Sequence, residues 1–117
     1  MKSGMTYSQG SLVLVPFPFT DLSGTKKRPA VVVSPDWFNQ SYEDIILAAV
    51  TSNVPPSPQP PEVPLTQADL AFGVMQKESV VKVGKLFTCH RDIVKQFAEV
   101  STDKLSEVLG TLRQLFT

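Results

Sequence analysis

Six prolines fall within the eleven residues Val54 to Pro64, and this stretch constrains the fold more than any other. Proline fixes φ and removes a backbone donor, so the segment reads as an extended connection across the surface. Only Glu62 to Leu65, at its end, retains the pattern of a short edge strand. The whole chain is 117 residues, enough for one domain and one core.

Before the prolines lie three apolar runs. Ser11 to Phe19 is rich in Val, Leu and Phe and reads as a buried strand, which Pro16 and Pro18 confine to a sheet edge or end early. Thr20 to Lys27 reads as a loop with Asp21, Ser23 and Gly24 as turn formers, and Ala30 to Ser34 as a second strand. Asp36 to Ser41 suits one short helical turn, and Ile45 to Ser52 a third strand. After the prolines, Thr66 and Asp69 stand at capping-box spacing in a short turn running to Phe72. Ser79 to Leu86 and Lys95 to Val100 read as further strands. The end of the chain has a different period: Leu105, Val108, Leu109, Leu112, Leu115 and Phe116 form one helical stripe, with Ser101 as N-cap. Short strands plus one terminal amphipathic helix predict a mainly β, α+β fold, a small barrel or half-barrel with the helix packed on it.

The expected organisation is a loose arm over residues 1–9, with Met5 a candidate start, and a single domain over 10–117. No charged and apolar leader opens the chain and no apolar run is long enough to span a bilayer, so the expected compartment is the cytoplasm. One cysteine, Cys89, excludes an intrachain disulfide, and with one histidine, His90, it cannot form a Cys/His zinc centre. No metal or other cofactor is expected. Eleven basic residues balance eleven acidic ones. Nucleic-acid binding therefore requires local segregation of charge, because the net value supplies no attraction for phosphates.

Three segments together resemble the MazF/PemK toxins. The first is Gly10 to Phe19 with Asp21-Leu22-Ser23-Gly24 and Lys27 to Ser34. The second is Ala48 to Asn53, and the third Ser79 to Val83 with Lys85 to Thr88. The terminal helix matches as well. The resemblance implies an SH3-like barrel with a C-terminal helix, a homodimer, and a cognate antitoxin that blocks an RNA groove. It also implies metal-independent cleavage of single-stranded RNA at a short sequence, with the catalytic positions falling on Arg28 and Thr51.

Such cleavage uses the RNA's own 2′-hydroxyl as nucleophile, so the protein must stabilise a phosphorane and manage two protons. Arginine is a poor base, but its planar fork suits two phosphate oxygens. Thr51 can donate a hydrogen bond to the same charge. Ser23, Gly24, Lys26, Lys27, Ser52, Ser79 and Lys85 are the candidate RNA contacts. Each has a plainer reading: Arg28 as a strand-start surface residue, Thr51 as a turn former, the lysines and serines as solvated side chains.

Outside that frame, Cys89-His90 superficially suggests a thiol hydrolase, although neighbours in sequence commonly point apart. His90 is a second candidate base, with a turn or N-cap role before Arg91-Asp92 as its plainer reading. Trp37 and Phe38 suit either base stacking or packing. The chain also departs from the family pattern. Thr25 and Lys26 replace a common loop glutamate, Phe87 a common arginine, and His90 a common aspartate, so sequence specificity does not transfer and reduced activity is an alternative. A further alternative is a non-catalytic module of the related gyrase-poisoning group, acting through the terminal helix.

Overall fold

The computed structural model describes residues 6–18 and 25–117, the side chains at positions 17, 18 and 25 excepted. Seven strands form one antiparallel sheet: β1 (Ser11–Pro18), β2 (Thr25–Val32), β3 (Asp44–Thr51), β4 (Glu62–Leu65), β5 (Leu70–Gly73), β6 (Ser79–His90) and β7 (Lys95–Val100). Their spatial order is β4-β6-β3-β2-β1-β7-β5, and the sheet curls into a half-barrel. Helix α1 (Asp36–Ser41) bridges β2 and β3, and α2 (Thr102–Gln114) ends the chain and packs on β4 and β6.

The curl explains why the early strands are apolar runs and not strict alternations. One cluster, with Leu12, Val31, Ala48, Val50 and Val81, lies under Val108, Leu105, Leu109 and Leu112 of α2. A second, on the other face, gathers Val13, Val15, Ala30, Val32, Ile45 and Leu47 under Tyr7 and Val94. Strands buried on both faces lose the polar half of their pattern. Each fully buried Leu or Ile side chain stabilises the fold by about 1.5–3 kcal/mol relative to leaving it exposed.

Several expectations need adjustment. Of the two readings of Pro16 and Pro18, the second holds: β1 is not an edge strand but lies between β2 and β7, and its pairing with β7 ends early. Its β7 partners run only from Ser11 to Leu14, so Pro16 and Pro18 have β2 on one side alone, where a missing donor is tolerated. Lys26 and Lys27, expected in a loop, belong to β2, paired with Phe17 and Pro16. Leu70 to Phe72, read as part of a turn, belong to an edge strand on β7 that runs from Leu70 to Gly73. Strand β6 runs four residues past Leu86. Ala48 pairs with Leu86 and Ala49 with Lys82, so Val83, Gly84 and Lys85 form a bulge that bends the strand.

Of the arm expected over 1–9, residues 1–5 lie outside the described part. Tyr7 is buried and Gln9 is hydrogen-bonded to Val33 and Asp36, so these two belong to the packed body. The terminal helix begins as its sequence predicts, with Ser101 Oγ accepting the Lys104 N–H at 3.1 Å. Leu115 and Phe116 of its stripe nevertheless remain exposed.

Candidate functional site

Strands β2 and β3 pair through Ala30–Ala49 and Val31–Ala48. Extending that register two residues sets Arg28 opposite Thr51, which itself pairs with Val80 of β6. The two candidates, 23 positions apart in sequence, thus stand at one level, two residues beyond the last paired residues of the β2–β3 ladder. Both line a cleft of about 630 Å³. Its floor is apolar, from Leu12, Leu14, Val50, Leu65 and Phe97; its rim carries Lys26, Lys27, Arg28 and Lys77. Thr51, Ser52, Gln76 and Ser79 add polar groups, and among the described residues no carboxylate lines it. Glu78 faces an adjoining hollow formed by Thr66 to Ala68 and Met75 to Glu78.

The neutral chain therefore segregates charge locally: four cations gather where an anion could enter. Arg28, Lys26, Lys27 and Ser52 are exposed on this rim. Thr51 is half-buried, and its Oγ1 accepts the Asn53 N–H at 3.1 Å. That bond occupies a lone pair and leaves the hydroxyl proton available for donation, so the turn role does not exclude a donor role. Ser79 is buried and its Oγ donates to the Lys77 carbonyl at 3.1 Å.

Lys85 is not among the residues lining the cleft; it is exposed in the β6 bulge. Ser23 and Gly24 lie outside the described residues. His90 pairs with Asp44 at the opposite end of β3 from Thr51, seven residues away, roughly 23 Å at strand rise. It acts as an N-cap, its Nδ1 accepting the Asp92 N–H at 3.1 Å, with Glu43 and Asp92 carboxylates nearby. Cys89 is half-buried; burial pushes its thiol up, the charge of Asp44 adds to this, and a backbone hydrogen bond involving His90 partly opposes it. A thiol so shifted is a weak source of thiolate. Trp37 is exposed on α1, edge-on to Phe38, and neither lines the cleft. Gln76 and Lys77 were missed in the sequence, where a polar Gln-Lys-Glu turn carries no signal beyond solvation.

Among the described residues, no group of three or more His, Cys, Asp or Glu side chains is gathered as a metal site, and no helix is long and apolar enough to cross a membrane.

Comparison with known proteins places the chain and its fold. Residues 8–116 match the family described as PemK-like, MazF-like toxin of type II toxin–antitoxin systems. No curated protein matches the chain. Among solved structures, a chain of MazE–MazF from Deinococcus radiodurans is 29% identical, with 95% of this chain and 96% of that one covered, at a TM-score of 0.75. MazF alone from the same organism gives the same identity and coverage at a TM-score of 0.71. An endoribonuclease from a mycobacterial species is 16% identical over 97% of this chain and 93% of that one, TM-score 0.74, a likeness of fold.

Proposed function

The chain belongs to the PemK-like, MazF-like toxins of type II toxin–antitoxin systems, and from that premise we propose that it is a metal-independent endoribonuclease cutting single-stranded RNA at a short sequence. The observation that carries the reading is that Arg28 and Thr51 line one cleft, whose lining includes Lys26, Lys27 and Lys77 and, among the described residues, no carboxylate. Phosphate enters such a rim without like-charge repulsion, and the apolar floor accommodates the face of an unpaired base.

In the proposed reaction the ribose 2′-oxygen attacks the adjacent phosphorus and gives up its proton to a water in the open cleft. The bond from phosphorus to the 5′-oxygen breaks, and water returns a proton to the leaving oxygen, leaving a 2′,3′-cyclic phosphate and a 5′-hydroxyl. Arg28 clamps two equatorial oxygens of the phosphorane, and Thr51 donates a hydrogen bond to the same charge. Lys26, Lys27 and Ser52 hold the flanking strand. His90 lies at the other end of β3 from Thr51 and takes no part in the proposed proton transfers. The protein acts in the cytoplasm as a homodimer, stops growth, and is neutralised by a cognate antitoxin. The MazE–MazF structure and that of a mycobacterial endoribonuclease with its cognate antitoxin support the last point.

The test is cleavage of a long single-stranded RNA in excess EDTA by wild type, Arg28→Ala and Thr51→Ala. Wild type is expected to cut at discrete sites and both variants to lose 10²-fold or more in rate, an order typical for removed transition-state donors. A folded wild type that cuts nothing would shift the reading to a protein-binding toxin acting through the exposed Leu115 and Phe116 at the end of α2. In that case truncation after Leu109 would abolish function.

A further inference from the structure

Residues 74–78 join β5 to β6 along one side of the cleft, with the side chains of Val74, Gln76, Lys77 and Glu78 exposed. Their backbone is tied down at both ends and in the middle. Gln67, in the single 3-10 turn before β5, donates from Nε2 to the Gly73 carbonyl at 3.0 Å and accepts the Met75 N–H on Oε1 at 2.9 Å. Ser79 Oγ holds the Lys77 carbonyl. Gly73 fixes the entry: its φ is +94°, and a Cβ there would sit 2.5 Å from both Cα and Cβ of Ala98. No L side chain fits that approach. Met75 anchors the middle against the main core.

An exposed five-residue connection ordinarily samples many conformations, and ordering it on a ligand costs binding energy. Here that ordering is built into the protomer, and the pinned loop directs Gln76 and Lys77 to the cleft that holds Arg28 and Thr51. We propose that this loop is a prebuilt second wall of the RNA site, where Lys77 meets a phosphate beside the scissile step and Gln76 reads a base edge. Gln67 and Ser79 are positioning residues. A primary amide suits that reading because it donates and accepts at once, matching the edge of an unpaired base. The inference rests on the ribonuclease reading.

The experiment maps every cut end on one long RNA for wild type, Gln76→Ala, Lys77→Ala and Gln67→Ala, with kcat, KM and melting temperature alongside. Lys77→Ala is expected to raise KM several-fold at unchanged kcat, and to flatten the salt dependence of binding by about 0.7 in log–log slope, the share of one phosphate contact. Gln76→Ala is expected to keep cutting the preferred site and to add sites that wild type spares. Gln67→Ala is expected to show the same broadened set at a melting temperature close to wild type, an outcome that a purely structural role would not give. Active wild type with cut sites, KM and salt slope shared by all three variants would overturn the loop's role and leave the ribonuclease reading intact. Folded wild type that cuts no RNA would overturn both.

Discussion

Tyr7 shows how one residue near the start of the described chain is tied into the body. Its hydroxyl donates to the Val94 carbonyl at 3.0 Å, and its own carbonyl accepts from the buried Asn39 amide at 2.8 Å. Burial pushes the phenol up, and the charge of Asp92 adds to the shift. A raised acid is favoured in its protonated form by the fold. Its contribution is therefore complete below the ordinary tyrosine value of about 10 and is lost as pH rises through the higher folded value. Tyr7→Phe is expected to cost about 1 kcal/mol at neutral pH, the weight of one buried hydrogen bond. It should also lose less stability than wild type above about pH 10. Urea midpoints taken across that range check this, and parallel alkaline limbs in the two proteins would refute it. At this same scale the sequence is only half informative: Arg28 and Thr51 stand out as candidates through a family frame and line one cleft, whereas Gln67 and Gly73 act through partners that no local pattern announces.

Elements whose signal is local were legible, and those set by pairing were not. Helix α2 has both a period and a cap, and it forms where Ser101 and the leucine stripe place it. Strand β5 has neither: Ala71 and Phe72 are exposed, and the segment is a strand because β7 offers it an edge. The Thr25–Lys27 start of β2 is polar and extended only because β1 lies beside it. Ser101 does more than cap, since its N–H donates to the Asp69 carbonyl at 2.7 Å and so joins α2 to the turn that carries Gln67. Lys104 reinforces the joint, donating to the Pro64 carbonyl at 2.9 Å. Ser101→Ala is expected to destabilise by about 1 kcal/mol, lowering the melting midpoint by roughly 4 °C. Ser106→Ala, on the exposed side of the same helix, should leave the midpoint unchanged or raise it, since alanine is the better helix former. Equal midpoints for the two variants would show that the cap does not hold this helix.

For the whole molecule the question is how a chain of zero formal charge would hold the polyanion that the proposed reaction requires. Part of the answer lies in the distribution: Glu62 pairs with Lys82 at 2.9 Å and Glu107 with Lys104 at 2.8 Å, whereas Lys26, Lys27, Arg28 and Lys77 line the cleft, which among the described residues no carboxylate lines. Long-range steering should then be weak and the attraction short-ranged, confined to the strand lying in the cleft. Four cations on a single strand imply a log–log dependence of affinity on salt of roughly −3, at about 0.7 per phosphate neutralised. Thr51→Ala keeps all four cations and is expected not to turn RNA over, so its binding to a single-stranded RNA can be followed at equilibrium between low and moderate salt. A slope near −3 supports the cleft as the whole electrostatic footprint. A slope near zero would mean that the four cations do not meet phosphates, and a much steeper one would require a basic surface beyond the cleft, as a second protomer beside the first would supply.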